Sequence, residues 1–269
     1  MKGVAPLSQK LLQSVCRKPV QRSKQGQLQP ISEWLLQELP VAIVFNGVSH
    51  AVMMATPADL EEFALGFSLT EGILTSAEQL YQTDIVVQPE GVEVRLEISN
   101  ERMQLLQQKR RTLAGRSGCG LCGTESLQQL QIDLAQIKAP LLLNEREILT
   151  ATEQLSQNQS LHQQTGASHA AAWCDLNGNV VLLREDLGRH NALDKLIGAL
   201  RKSEQKEQGF ILVSSRLSYE MVQKAVVAQA GALVAVSAAT SMAVELAHKS
   251  GLPMYGFVRE QSYLCYNTV

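Results

Sequence analysis

The chain has 269 residues, of which 45% are apolar and 19% are charged, with a formal net charge of −2 at pH 7 and a pI of about 6.2. These values are typical of a globular protein with one large or two small domains. The lack of a basic excess argues against nucleic-acid or membrane-surface binding, and no apolar run is long enough to span a membrane.

Residues 1–37 are predicted to form a flexible tail, because the first 30 are rich in Gln, Lys, Arg and Ser and show little apolar periodicity. The same segment lacks the apolar stretch of a secretory signal, which predicts a cytoplasmic protein. In that reducing compartment, the five cysteines of the chain should remain mostly as thiols.

Residues 38–111 are predicted to form a small α+β subdomain. Asn46-Gly47 joins two β-rich runs and is a strong hairpin signal. Thr56 and Pro57 suit the N-cap and first position of a largely buried helix. The predicted elements of this subdomain are hairpins over 39–57 and 84–99 and helices over 56–74 and 101–111.

Residues 127–269 are predicted to form an α/β subdomain, because strand-like and helix-like segments alternate there. This alternation predicts a sheet with parallel neighbouring strands and covering helices. The predicted helices cover 144–159, 189–202, 218–231 and 240–251. The predicted strands include two runs that flank Asn177-Gly178, a third over 210–215, and the segments "ALVAVSAA" and "PMYGFVRE".

The segment "GRSGCGLCGTES" (115–126), within a predicted mobile loop over 112–126, holds Cys119 and Cys122 among four glycines. A structural zinc site needs four ligands, usually from two pairs. The other cysteines are isolated and no H-x₃₋₅-H is present, which argues against zinc. A zinc deaminase is also disfavoured, because its H-x-E is missing and Gly118 replaces the proline of P-C-x-x-C.

Three interpretations of this loop remain open. A redox dithiol would normally follow a strand and open a helix, whereas the segment before Arg111 is predicted to be helical. A sulfur carrier needs an exposed thiolate; the glycines would leave the sulfur accessible, and the nearby Arg110, Arg111 and Arg116 could lower the thiol pKa. The third interpretation is a glycine loop with two idle thiols.

A second group of polar residues lies in "LLREDLGRHNALDK" (182–195). It could be a solvated helix start, or an anion pocket where helix amides and Arg side chains meet phosphate. Polar turns containing His169, Arg216 and Arg259 also adjoin predicted strand ends. Because ligands of open α/β sheets bind at one such edge, the four turns together predict a large phosphate-bearing ligand. The charged residues of the 182–195 segment are Arg184, Glu185, Asp186, Arg189, His190, Asp194 and Lys195.

Several motifs of this chain, in order, resemble the FdhD family from about residue 38 to the C-terminus. They are "TPADLEEFALGFSLTEGIL", "RSGCGLCGTES", "TGASHAAAW", "REDLGRHNALDKLIG", "SSRLSYEMVQKAV", "SAATSMAVELA" and "GFVRE". The pairing of the cysteine loop with R-E-D-x-G-R-H-N-A-x-D-K is highly specific.

The resemblance implies a formate dehydrogenase accessory sulfurtransferase. Such proteins accept persulfide sulfur from a cysteine desulfurase and pass it to a bis-molybdopterin guanine dinucleotide cofactor carrying molybdenum or tungsten. The cofactor is cargo for formate dehydrogenase and is not permanently bound. The resemblance also implies a homodimer and a cytidine-deaminase-like, three-layer α/β C-terminal unit beside the smaller hairpin-and-helix N-terminal unit.

Carried over by position, Cys119 would bear the persulfide and Cys122 would be its partner, either as a relay or as a resolving thiol. The family's cofactor-binding segment falls on residues 257–262, and Arg189 is a further candidate for phosphate. The residues of that segment are Phe257, Val258, Arg259, Glu260, Gln261 and Ser262.

Three positions depart from the family pattern. "TGASH" replaces T-G-G-x-H, "SAATS" lacks the proline of S-A-P-T-S, and Glu260 places an acidic group where a bound diphosphate would be expected. The competing class of function is a chaperone that binds and delivers the cofactor without carrying sulfur. Cys174 and Cys265 lie in apolar strand-like runs and are predicted to be buried and inert.

Overall fold

A computed structural model of the chain describes residues 13–114, 134–203, 207–259 and 262–267. None of the helices in these ranges combines the length and apolarity needed to cross a membrane. The helices are α1 (Leu60–Thr70), α2 (Asn100–Ala114), α3 (Glu145–Asn158), α4 (Ser160–Thr165), α5 (Arg189–Lys202), α6 (Tyr219–Ala228) and α7 (Ser241–Lys249). The first six strands are β1 (Val15–Lys24), β2 (Gln27–Leu36), β3 (Leu39–Phe45), β4 (Val48–Ala55), β5 (Leu80–Gln88) and β6 (Gly91–Ile98). The other six are β7 (His169–Cys174), β8 (Val180–Asp186), β9 (Phe210–Val213), β10 (Leu233–Ala235), β11 (Met254–Arg259) and β12 (Ser262–Asn267).

Strands β1 and β2 form an antiparallel hairpin, so the predicted flexible tail is wrong for residues 15–36. The hairpin turns at Gln25 and Gly26, which both have positive φ, as in the turns that match the twist of paired strands. Arg17 stacks on Trp34 across the strands, with 5.1 Å between its Cζ and the ring centroid. The sequence gives little sign of this hairpin, because most residues on both of its faces are exposed and polar.

The N-terminal unit is built on a four-stranded sheet of order β4-β3-β6-β5. The hairpin turn predicted at Asn46-Gly47 is confirmed, and both residues have positive φ. The second predicted hairpin is also confirmed, since β5 and β6 are antiparallel. Helices α1 and α2 cover one face of this sheet and share a buried apolar cluster with its strands.

The C-terminal unit is built on a six-stranded mixed sheet of order β12-β11-β10-β9-β7-β8. Strands β9, β10 and β11 are parallel, whereas β7 is antiparallel to both β8 and β9. Successive residues of these strands belong alternately to two apolar clusters. One cluster also contains residues of α5, α6 and α7, and the other contains residues of α3. Helices therefore lie on both faces, which confirms a mixed α/β fold, while the cytidine-deaminase-like arrangement and the domain boundaries stay predictions.

The two cysteines predicted to be buried differ. Cys174 is fully buried in β7, as predicted, and burial raises the pKa of its thiol far above the usual range. Cys265 is exposed, so that prediction is wrong. The cause is topological, because β12 pairs on one side with β11 and forms the outer strand of the sheet.

Helix α1 is almost wholly buried, as predicted, because it lies between the N-terminal sheet and α5 of the C-terminal unit. The two helices approach at Gly66 of α1 and Gly198 of α5. A Cβ on Gly66 would overlap the carbonyl oxygen of Asp194, and a Cβ on Gly198 would overlap that of Glu62. Glycine is therefore required at both positions for the two backbones to meet.

The predicted start of α1 is wrong. The helix begins at Leu60, and its N-cap is Asp59, which adopts a left-handed conformation with φ of 57°. Thr56 does not cap this helix, because its amide and hydroxyl both donate to Asp186, 130 residues further along the chain. A contact so distant in sequence leaves no local signal.

We expect Gly66→Ala to destabilise the protein by about 3 kcal/mol or more, because the new methyl group must push the two helix backbones apart. Helix propensity alone predicts the opposite sign, a gain of about 1 kcal/mol. Gly72→Ala is the control, since its Cβ would meet open space and its only cost is a positive φ. Urea unfolding measures both, and an unchanged or increased stability of Gly66→Ala would contradict the close helix contact.

Candidate functional site: a polar sheet edge backed by buried charges

The polar turns predicted to lie at strand ends meet at one edge of the six-stranded sheet. The start of β7 lies beside the end of β8, where His169 pairs with Asp186. The next strand, β9, ends beside them, since Ser214 bonds the backbone of Ala170 through both its amide and its hydroxyl. Strands β10 and β11 run parallel to β9 and end at the same edge. We call this surface the polar edge.

Three helices begin at the polar edge, and none has a side-chain hydrogen bond at its N-cap. The N-cap residues are Gly188 for α5, Ser218 for α6 and Thr240 for α7. The first turn of a helix presents amide groups that lack intrahelical partners, together with the positive end of the helix dipole. Three such ends at one surface favour a ligand with several negative charges.

Three buried polar atoms at this edge have no hydrogen-bond partner among the described residues, and one of them is Nε2 of His190. The two donors among them are Nε of Arg189, the first residue of α5, and Oγ of Ser218, the N-cap of α6. An unsatisfied buried donor costs about 1–3 kcal/mol, so such groups call for an explanation in a folded protein. A phosphate oxygen could accept from both, which makes the junction of α5 and α6 the best candidate for anion binding.

Arg189 lies between two histidines whose protonation it opposes. Burial lowers the pKa of His169, and the positive charge of Arg189 lowers it further. Burial likewise lowers the pKa of His190, against the opposing effect of Glu220, whose Oε2 lies 2.6 Å from Nε2 of His190. Both shifts favour the neutral imidazoles. The guanidinium of Arg189 therefore supplies the positive charge here.

Part of the predicted segment 257–262 lies at the same edge. Phe257 is 43% exposed and has a φ of 54°, a conformation that costs a non-glycine residue free energy. The guanidinium of Arg259 stacks 4.2 Å from its ring centroid and donates to the carbonyl oxygens of Val236 and Val258. Val258 is buried and Ser262 is exposed, whereas Glu260 and Gln261 lie outside the described residues.

Behind the polar edge, a buried ion pair joins β8, α5 and the N-terminal unit. Asp186 and Lys195 have fully buried side chains, with 2.7 Å between Oδ2 and Nζ. Thr56 donates to Asp186 through its amide and hydroxyl and accepts from Lys195. Burial lowers the pKa of Lys195, although the charge of Asp186 opposes this shift.

A second buried pair lies further along α5 and joins it to α1 and α6. Nζ of Lys224 lies 3.0 Å from Oδ1 of Asp194, and both groups also bond Thr70. Burial raises the pKa of Asp194. Burial would lower the pKa of Lys224, but Asp194 and Glu71 together outweigh it and raise the value.

The charged residues of the 182–195 segment thus divide between two roles, which neither predicted interpretation anticipated. A solvated helix start is wrong, because Asp186, Asp194 and Lys195 are buried in ion pairs. Arg184 pairs with Glu62 of α1, 2.5 Å from its carboxylate. Of the seven charged residues in this segment, Arg189 and His190 lie at the polar edge.

Glu185 also has a structural role. It accepts hydrogen bonds from the amides of Leu161 and His162 at the start of α4 and from the hydroxyl of Ser168. Sequence reasoning did not predict that Thr56 bonds the buried Asp186–Lys195 pair, or that the hydroxyl of Ser218 has no partner among the described residues. Neither residue type stands out in the sequence, because these features depend on distant neighbours.

The remaining candidates cannot be placed. Cys119 and Cys122 lie outside the described residues, as does Arg116. Within the described ranges, no group of three or more His, Cys, Asp or Glu side chains is arranged to hold a metal ion. A cavity of about 350 Å³ lies at the opposite edge of the sheet, lined in part by Trp173, Arg201 and Gly209, and shares no residue with the polar edge.

Comparison with known proteins supports the family resemblance found in the sequence. The sequence model of the FdhD/NarQ family matches residues 36–269. A protein named sulfur carrier protein FdhD in Cupriavidus necator is 50% identical over 92% of this chain and 86% of its own length. Its namesake in Variovorax paradoxus is 48% identical over 87% of this chain and 84% of its own length. These matches confirm the family resemblance predicted from the sequence.

The fold also has a counterpart among solved structures. A crystal structure described as that of a candidate formate dehydrogenase accessory protein from Desulfotalea psychrophila aligns with a TM-score of 0.74. The alignment covers 95% of this chain and 98% of that one, at 22% sequence identity. At this identity the likeness establishes the shared fold alone.

We expect Lys195→Met to destabilise the protein by about 3–5 kcal/mol, because it leaves the buried Asp186 without its cation. Lys202→Met is the matched control. Lys202, on the same helix as Lys195, pairs with Glu61 of α1, but both side chains are substantially exposed, so its loss should cost less than about 1 kcal/mol. Equal effects of the two substitutions on urea unfolding would contradict a charged interior pair.

Proposed function

The chain belongs to the FdhD/NarQ family, and on that premise we propose that it is a sulfurtransferase acting as a sulfur carrier for formate dehydrogenase. It accepts sulfur from a cysteine desulfurase on Cys119 as a persulfide. It passes that sulfur to a bis-molybdopterin guanine dinucleotide cofactor, with molybdenum or tungsten as the metal, before formate dehydrogenase receives the cofactor.

The observation that carries this proposal is that proteins 45–50% identical over most of the chain are named sulfur carrier proteins. A carrier requires a reactive cysteine, and the C-x-x-C of Cys119 and Cys122 supplies the best candidate in the sequence. Among the cysteines that the structure describes, Cys174 is excluded by its burial and raised pKa.

The sulfur step follows ordinary thiol exchange chemistry. The thiolate of Cys119 attacks the outer sulfur of the desulfurase persulfide, a new S–S bond forms, and the thiolate of the donor cysteine leaves. No oxidant is consumed, because the persulfide already carries its sulfur at the required oxidation level. Cys122, three positions further along the sequence, is the proposed thiol that relays or resolves the resulting persulfide of Cys119.

The polar edge is the proposed docking surface for the guanine dinucleotide arms of the cofactor. The unpartnered Nε of Arg189 and Oγ of Ser218, together with the helix N-termini, suit a diphosphate. The exposed ring of Phe257 and the stacked guanidinium of Arg259 suit a flat base or its adjoining phosphate. In this proposal the cofactor is a substrate that binds transiently.

The remaining parts of the proposal rest on the family resemblance. They are a cytoplasmic location, a homodimer, a cytidine-deaminase-like arrangement of the C-terminal unit, and contacts from Glu260, Gln261 and Ser262 to the cofactor.

We expect incubation with a cysteine desulfurase and cysteine to add one sulfur atom to Cys119, which peptide mass spectrometry after thiol trapping would locate. Cys119→Ala should abolish this labelling, whereas Cys265→Ala should leave it unchanged. Cys265 is a matched control, because it is an exposed thiol with no proposed role. Sulfur found on Cys265 instead of Cys119, or on neither, would contradict the carrier mechanism.

The same variants separate a carrier from a cofactor chaperone. In a strain lacking the native gene, Cys119→Ala should fail to support formate dehydrogenase activity, while Cys265→Ala should support it fully. Full activity with Cys119→Ala would favour a chaperone that delivers the cofactor without carrying sulfur.

We expect guanosine diphosphate, a fragment of the cofactor arm, to bind the polar edge. Arg189→Ala should weaken binding about tenfold or more, because a hydrogen bond between charged groups is worth about 1.5–3 kcal/mol. Arg201→Ala is the control, since Arg201 is exposed at the other end of the same helix. Isothermal titration calorimetry measures both, and equal affinities of the two variants would place the nucleotide elsewhere.

A further inference from the structure

We propose that Asp186 is a positioning residue for the polar edge, whose carboxylate fixes the turn at Gly188 and thereby sets the direction of Arg189. The part of this inference that concerns ligand affinity rests on the proposed function. The part that concerns the turn itself rests on the hydrogen bonds of the described residues alone.

The first oxygen of Asp186 organises the start of α5. Oδ1 accepts from the amide of Gly188 and from Nδ2 of Asn191, each at 2.9 Å. Gly188 is the N-cap of the helix and has no side chain with which to cap it. Asp186 therefore anchors this turn from two residues earlier, and Arg189 follows directly after it.

The second oxygen of Asp186 ties that turn to the N-terminal unit. Oδ2 accepts from the amide and hydroxyl of Thr56, each at 2.9 Å, and lies 2.7 Å from Nζ of Lys195. Asn191 adds a second tie, because its Nδ2 also donates to the carbonyl oxygen of Met54. The position of the turn is thus set from two sides.

Asp186 cannot act on a ligand by touching it. Its side chain is fully buried, and its two oxygens already face five donors on four residues. Its influence must pass through the backbone of the turn. The first side chain after Gly188 is that of Arg189, whose buried Nε has no partner among the described residues.

Asp194, on α5, provides a matched control. It is equally buried and paired with a lysine, so its substitution also removes a carboxylate from a buried cation, although Lys224 keeps Glu71 as a second partner. Its side-chain partners are Thr70 of α1 and Lys224 of α6, and none of them belongs to the first turn of α5. A general loss of stability would therefore affect both variants, whereas a positioning effect would appear in Asp186→Asn alone.

The test compares Asp186→Asn with Asp194→Asn in the full-length protein, at a temperature where both are folded. We expect Asp186→Asn to weaken binding of guanosine diphosphate about tenfold or more, and Asp194→Asn to change it less than about threefold. Equal losses, or an unchanged affinity of Asp186→Asn, would overturn the inference.

Hydrogen exchange of the ligand-free protein provides a readout that does not depend on the proposed function. Asp186→Asn should speed exchange of the amides of Gly188 and Ala192, the hydrogen-bonded amides of this turn, about tenfold or more, while Asp194→Asn leaves them protected. If wild-type protein binds no guanosine diphosphate, the proposed docking surface fails, but this exchange pattern still decides the role of Asp186. Unchanged exchange at Gly188 and Ala192 in Asp186→Asn would overturn it.

Two double variants cover the case in which Asp186→Asn does not fold. Adding Lys195→Met removes the stranded cation from both Asp186→Asn and Asp186→Ala. In Asp186→Asn alone, the cation of Lys195 holds the single amide oxygen on its own side, which leaves the amide nitrogen facing Gly188. In the Asn double variant that oxygen can turn to accept from Gly188, whereas the Ala double variant offers no acceptor. We expect faster exchange at Gly188 and Ala192 in the Ala double variant, and equal exchange in the two would contradict the positioning role.

Discussion

The packing of α1 against α5 is the contact on which the rest of the structure depends. Gly66 and Gly198 allow the two backbones to touch, since a Cβ at either position would overlap a carbonyl oxygen of the other helix. This close approach places Thr56 and Thr70 beside the charged groups of α5. Two lysines can then be buried, because each has a carboxylate and threonine oxygens within reach.

The cost of burying those charges makes the contacts of Thr56 and Thr70 with the C-terminal unit important for stability. An uncompensated buried charge costs several kcal/mol, so each pair is stable only while the helices and β8 stay together. The N-terminal unit therefore contributes to the polar edge without lying on it. Through Thr56 it holds Asp186, and Asp186 holds the turn before Arg189.

At the polar edge, the positive charge lies on Arg189 and not on the two neighbouring histidines. Arg189 supplies a guanidinium here, while burial and the charge of that guanidinium lower the pKa of both His169 and His190. An anion bound here would meet Arg189 and the ends of three helices, so its binding should depend little on pH between about 7 and 8. Such a surface suits a diphosphate that must bind and then leave.

Local patterns in the sequence predicted much of the fold. Asn46-Gly47 and Asn177-Gly178 both mark hairpin turns, and the predicted helix over 189–202 has the bounds of α5. The polar turns also meet at one edge, because strand and helix alternation determines which strand ends lie together. The family was recognised from motifs that recur across the chain, and the relatives confirm it.

Features that depend on distant partners could not be predicted. Asp186 looked like a solvated helix-start residue, because its partner Thr56 lies 130 residues away. The β1–β2 hairpin lacks apolar alternation, and Cys265 is exposed because its strand is the outer one of the sheet. The physical reason is the same in each case, since burial is decided by tertiary neighbours and not by the local pattern.

The most direct test of this account is a crystal structure of the protein with guanosine diphosphate. The account predicts that the diphosphate lies at the junction of α5 and α6, with phosphate oxygens within hydrogen-bond distance of Nε of Arg189 and Oγ of Ser218. A nucleotide seated at the opposite edge of the sheet, in the cavity lined by Trp173 and Gly209, would contradict it.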